Sequence, residues 1–117
     1  MMPSEGATVI GLGMKIDGEV SGSGELLVDG EVDGTIRLTS SRLTVRAEGR
    51  VRASITAQDV VVLGTVEGEI RASGRIELRS GSVVIGNLYS PRLSMEEGAT
   101  LRGGVDPTKA PEGDKKD

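Results

Sequence analysis

The chain has no histidine, cysteine, tryptophan or phenylalanine, and Tyr89 is its one aromatic ring. Without His or Cys there is no imidazole-activated nucleophile, no thiolate metal site and no disulfide. The six-residue repeats of left-handed β-helix acyltransferases commonly carry a His base, and here both that spacing and that base are missing. Gly11-Leu12-Gly13 and Gly22-Ser23-Gly24 are not followed by the Gly-Lys-Ser/Thr of a phosphate loop, and the calcium-binding Gly-Gly-x-Gly-x-Asp repeat does not occur. No catalytic residue, cofactor or metal ion is therefore expected. No apolar run approaches the roughly 20 residues of a bilayer span. Met1-Met2-Pro3-Ser4-Glu5 lacks the basic and apolar regions of a signal peptide, so a cytoplasmic protein is expected. Positive charge is not in excess either: 14 Lys and Arg against 18 Asp and Glu give a net charge of -4, unlike a general polyanion binder.

With almost no aromatic residues, Val, Ile and Leu must fill the interior of this 117-residue chain, and β-branched cores favour strands. The 18 glycines are about twice the usual share and, lacking a collagen period, mark turns or close approaches. Many of them belong to one recurring phrase: large apolar, polar, small, polar, large apolar. It reads Val32-Asp33-Gly34-Thr35-Ile36, and recurs from Ile16, Val51, Val66, Val84 and Leu101, at steps of 16, 19, 15, 18 and 17 residues. A repeat near 17 residues is too short for a helix pair and suits one coil of a solenoid.

Each repeat has a second half about ten residues later, an apolar-x-apolar pair: Leu26/Val28, Leu43/Val45, Val61/Leu63, Ile76/Leu78 and Leu93/Met95. A third ridge follows the phrase at Leu38, Ala57 and Ala72. Three apolar ridges per turn, separated by Gly, Ser, Asp or Glu, predict an all-β, parallel solenoid of about six coils spanning residues 8–105. The segments 1–7 and 106–117 are expected to be disordered tails, the latter containing no apolar residue larger than Ala or Pro. An antiparallel sandwich fits less well, because the phrases keep one order and Asp17-Gly18, Asp29-Gly30 and Asp33-Gly34 crowd too closely for hairpin loops. Within the phrase the alternation predicts that Gly18, Gly34, Ala53, Gly68, Gly86 and Gly103 point inward against an opposite wall. Outside, Asp33, Arg52 and Glu67 should stack as a ladder of alternating sign that opposes a wrong register.

Two surfaces are candidates for binding. No amphipathic helix lies outside either end of the solenoid, so both terminal coils should expose unpaired backbone and core side chains. Val9, Ile10 and Leu12 at one end, and Leu101 and Val105 at the other, are the expected polymer contacts, because open end-to-end pairing builds filaments. Arg42, Arg46, Arg75, Arg79 and Arg92 fall in neighbouring columns beside the apolar pairs. They form a candidate basic strip for DNA, anionic lipid or an acidic protein. No aromatic residue interleaves them for base stacking, which counts against nucleic acid.

The lead-in Thr8-Val9-Ile10-Gly11, the coil from Gly64 to Leu78 (Gly-Thr-Val-Glu-Gly-Glu-Ile-Arg-Ala-Ser-Gly-Arg-Ile-Glu-Leu) and the closing stretch from Pro91 to Ala99 (Pro-Arg-Leu-Ser-Met-Glu-Glu-Gly-Ala) together resemble the bactofilins. The resemblance covers nearly all of residues 8–105. It implies a right-handed parallel β-helix of triangular cross-section, and a bacterial cytoskeletal protein forming nonpolar filaments without nucleotide, often under the inner membrane. It also implies roles in cell shape, placement of cell-wall enzymes and chromosome organisation, with related family members, cell-wall enzymes or chromosome-segregation proteins as partners. Two positions depart from the family. Leu101 stands where members often carry a bulky aromatic at the polymer contact. Of the N-terminal membrane-targeting peptide some members have, only Met1 and Met2 could serve, followed here by Pro3 and Glu5. The alternative function is a β-helix binding module that does not polymerise, but docks on another polymer or recruits a partner protein.

Overall fold

A computed structural model describes residues 8–22, 24–38 and 41–106. The expected tails before Thr8 and beyond Asp106 lie outside the described residues, as do Met1 and Met2. All secondary structure among the described residues is β, and every strand pairing is parallel. In chain order, the first coil holds β1 (Thr8–Ile10) and β2 (Lys15–Gly22), and the second β3 (Leu26–Val28) and β4 (Glu31–Leu38). The third opens with β5 (Arg42–Val45), and β6 (Arg50–Val62) runs on into the fourth, which continues through β7 (Thr65–Glu67) into β8 (Ile70–Leu78). The fifth takes the end of β8 with β9 (Val83–Ile85) and β10 (Leu88–Tyr89), and the sixth is β11 (Leu93–Met95), β12 (Thr100–Arg102) and β13 (Val105–Asp106). The chain is thus a parallel β-solenoid of about six turns, with three walls.

The phrase sets the register of the first two walls. Ile16, Val32, Val51, Val66, Val84 and Leu101 form one column, each paired with the next. Val20, Ile36, Ile55, Ile70, Leu88 and Val105 form the second. Inside the stack these side chains are sealed: Val32, Ile36, Val51, Ile55, Val66, Ile70, Val84 and Leu88 are all at most 1% exposed. At about 1.5–3 kcal/mol for each fully buried large aliphatic, these columns and their third-wall counterparts dominate the folding free energy. Leu38, Ala57 and Ala72 are buried beside them, as the third ridge requires.

The third wall follows the predicted pairs in four of its coils and shifts by one residue in the fourth. There Val60 and Val62 are buried and pair with Leu43 and Val45, while Val61 and Leu63 sit half-buried on the outside. Val60-Val61-Val62-Leu63 is apolar throughout, so a period of two has no phase of its own, and the coil beneath selects it.

The small residues of the phrase do not point at an opposite wall. Gly18, Gly34 and Gly103 are exposed, and only Ala53 is buried as expected. Gly18, Gly34, Gly68, Gly86 and Gly103 take φ between 128° and 141°, which turns the chain from the first wall to the second without leaving the ladder. A Cβ at Gly34 would fall on the carbonyl oxygen of Gly18 in the preceding coil, and one at Gly86 on that of Gly68. The neighbour that demands glycine is therefore the next rung along the rod. In β6 the strand alternates without interruption, Val51, Ala53, Ile55 and Ala57 all facing inward, and an alanine fits.

Uneven corners between the third and first walls separate the short repeats from the long ones, and the passage from the second wall to the third adds the remaining variation. Four-residue corners close by hydrogen bonds from the Met14, Gly49, Ser82 and Ala99 amides to the carbonyls of Gly11, Arg46, Arg79 and Glu96. In the second and fourth coils the corner is shorter: the Asp29 and Gly30 amides both donate to Ile10 O, and those of Leu63 and Gly64 to Val45 O. Ser82 lies in the buried column otherwise occupied by Gly30, Gly49 and Gly64, and its hydroxyl has no partner among the described residues.

Two stability outcomes follow. Gly86→Ala should destabilise by roughly 1–3 kcal/mol more than Gly18→Ala in denaturant unfolding, because both strain φ but only Gly86 has a coil beneath it. Equal losses would return the constraint to φ alone. Ser82→Ala should raise the melting temperature, since it removes a buried hydroxyl that is left unpaired.

Candidate polymer interface

Each inner strand of the solenoid is paired on both sides, but the terminal ones are not. Among the described residues β1 pairs only with β3, and β2 only with β4. At the other end β11, β12 and β13 pair only with β8, β9 and β10. Each end therefore presents a row of backbone N–H and C=O groups from three walls, at the spacing that accepts another strand.

The apolar columns are truncated at the same places. Ile16 and Val20 are half-buried, although Val32 and Ile36, the same positions one coil on, are 1% and 0% exposed. At the far end Leu93, Ala99 and Leu101 are packed on the core but half-open, and Met95 and Val105 are 46% and 39% exposed. What opens these side chains is the missing next coil, since their counterparts inside the stack are closed.

The five expected contact residues divide among these features. Ile10 faces inward on β1 and is 4% exposed. Val9, beside it, points out of the third wall at 52%, and Leu12 stands on the first corner at 70%. Leu101 and Val105 lie on β12 and β13, at the ends of the first two columns. Ile16, Val20, Leu93 and Met95 are not among the expected contacts. Their signal was nevertheless present, because they occupy the anchor positions of the first and last repeats. Met14, 54% exposed, closes the first corner and extends the apolar rim.

The five arginines of the candidate strip lie on or beside the third wall, with acids interleaved. Arg42, Asp59 and Arg75 share one outer column. Arg46 Nε lies 3.2 Å from Asp29 Oδ1, Arg75 Nη1 2.9 Å from Glu77 Oε2, and Arg79 Nε 2.9 Å from Glu96 Oε2. A shallow groove lined by Arg42, Thr44, Asp59, Val61, Leu63 and Arg75 runs along it. Arg92 precedes β11, and its carbonyl accepts the Ser90 hydroxyl at 2.8 Å. On the first wall, Asp33, Arg52 and Glu67 do stack in register, with Arg52 Nε 3.5 Å from Asp33 Oδ1. Tyr89 packs on the outer second wall beneath Arg71, whose guanidinium carbon is 5.3 Å from the ring centroid. Among the described residues no group of three or more Asp or Glu is placed to hold a metal ion, and no helix is long and apolar enough to cross a membrane.

The family model described as Bactofilin, polymer-forming cytoskeletal, matches residues 8–106. The chain is 42% identical over 99 residues to bactofilin BacO of Myxococcus xanthus (strain DK1622), covering 85% of this chain and 78% of that protein. It is 35% identical over 99 residues to bactofilin BacP of the same organism, covering 85% of this chain but 41% of BacP, so it spans less than half of that relative. Its fold matches the solid-state NMR structure of the cytoskeletal bactofilin BacA with a TM-score of 0.77 and 34% identity, over 94% of this chain and 98% of that one. A parallel solenoid of about six coils, a family match over residues 8–106 and relatives at this identity lead to one conclusion: the chain belongs to the bactofilin family.

Proposed function

We propose that the protein is a structural scaffold that assembles end to end, without nucleotide, into nonpolar cytoskeletal filaments in the cytoplasm. The observation that carries this reading is the pair of open ends, where unpaired strands coincide with half-open core columns. Stacking a second rod on either end would continue the ladder and bury Ile16 and Val20, or Leu101 and Val105, as thoroughly as their inner copies. Each such aliphatic contributes about 1–2 kcal/mol on closing, and several act together across three walls. Nothing in this contact requires a phosphate or a hydrolysis step. The nonpolar order, like end against like, and service to cell shape, cell-wall enzymes or chromosome organisation are carried over from the family. Arg42, Arg46, Arg75 and Arg79 lie on inner coils and so remain available to partners in the filament, whereas Arg92 adjoins β11 in the last coil.

Purified protein without nucleotide should pellet on ultracentrifugation and show filaments by negative-stain microscopy. Material that stays monomeric at high concentration would favour the binding-module alternative. The order of the filament is read from two variants in one column, Val20→Asp at the first coil and Val105→Asp at the last. In a nonpolar filament each substitution disables one of two kinds of junction. Each variant alone should then sediment as a dimer, and the double variant as a monomer, all with native circular dichroism. Monomers from either single variant would indicate a polar, head-to-tail filament instead.

A further inference from the structure

Charge on the outside of the third wall changes sign from one coil to the next. In the second coil the wall carries Glu25 and Asp29 on either side of Leu27, and in the third Arg42 and Arg46 on either side of Thr44. Neither coil has a charge of the other sign on this wall. The middle column is apolar or β-branched from the first coil to the fourth: Val9, Leu27, Thr44 and Val61 pair in succession. Val9 is 52% exposed, and Leu27 and Val61 are half-buried.

A uniform polyanion would meet the acidic coil beside the basic one and lose on the first what it gains on the second. The pattern fits a surface that is its own complement. A two-fold axis parallel to the strands, passing between the second and third coils, reverses coil order and preserves position along each strand. Under it Glu25 faces Arg42 of a second copy, Asp29 faces Arg46, Leu27 faces Thr44 and Val9 faces Val61. We propose that this wall is a lateral interface through which two filaments of the protein pair side by side, the coils of facing protomers running in opposite order.

Magnitude decides at what level the pairing occurs. Four coils at about 4.8 Å and five residues of strand at about 3.3 Å give roughly 300 Å² per copy, far below the ~800 Å² per partner of a stable interface. Single protomers will not pair this way. Along a filament the same patch recurs with every protomer, and the contacts add through effective concentration. Each charge pair is weak on its own, because Arg46 already lies 3.2 Å from Asp29 within its own chain, and their repetition along the filament makes the sum decisive. This surface is separate from the ends, and goes beyond the end-to-end reading while requiring the filaments it predicts.

The experiment images filaments of the full chain. At about 0.05 M salt they should appear in pairs, and at about 0.5 M, where the Debye length falls to roughly 4 Å, as single filaments of unchanged length. Arg42→Glu/Arg46→Glu makes both coils acidic, and Glu25→Lys/Asp29→Lys makes both basic. Each should give single filaments at low salt, and mixing preformed filaments of the two should restore pairs. Single wild-type filaments at low salt, pairing that survives either charge reversal, or failure of the mixture to pair would each overturn the lateral interface and leave the end contacts standing. A complete lack of filaments would overturn both. Should a variant fold poorly, the salt series on the wild type decides alone.

Discussion

The constraint from which this structure derives is the parallel backbone ladder along the rod. It seats each residue on its counterpart one coil away. Valine rests on valine in the first column and isoleucine on isoleucine in the second, so the core repeats a single layer. The ladder also brings successive backbones so close that a corner where the chain turns with positive φ has no space for a Cβ. Glycine at Gly34, Gly68 and Gly86 is a requirement of the neighbouring rung. Outside, the same stacking pairs Arg52 with Asp33 and Arg46 with Asp29 between adjacent coils. Each exposed pair is worth well under ~1 kcal/mol, and Asp17 stacks on Asp33 in the same column, so the buried apolar columns rather than the charges hold the register.

A ladder satisfied at every inner coil has no internal means of stopping. Capped solenoids end in a helix or a polar repeat, and the described residues include neither at β1 and β2 or at β11 to β13. The contrast between half-open Val20 and sealed Ile36 is the energetic form of that geometry. Family membership and open ends therefore reinforce one another: the family is polymer-forming and cytoskeletal, and in the proposed junction each rod supplies the next coil of another. In the proposed filament the long walls stay free for other contacts, which would let one molecule join a polymer and engage neighbours at once.

Much of this was legible in the order of the residues. The six anchors from Ile16 to Leu101 align as their phrases suggested, since like-on-like stacking demands the same pattern in each coil. The terminal residues Ile16, Val20 and Leu93 were legible too, once the repeat was seen to begin and end with ordinary anchors. The phase of Val60 to Leu63 was not, because four consecutive apolar residues suit either face and only Leu43 and Val45 beneath them choose. The direction of the phrase glycines was misleading for a related reason. Alternation assumes an unbroken pleat, and a φ near 130° interrupts it.

Composition and repeat thus specify a great deal here: strands over helices, a parallel stack, three ridges per coil and no chemistry that needs imidazole or thiol. These follow from side-chain shape and spacing, which act locally and recur in each coil. The folded rod decides which neighbour each glycine avoids, which valines turn inward and which charges meet. Those outcomes depend on contacts between residues some 16 positions apart, and such distances become short only once the coils are stacked.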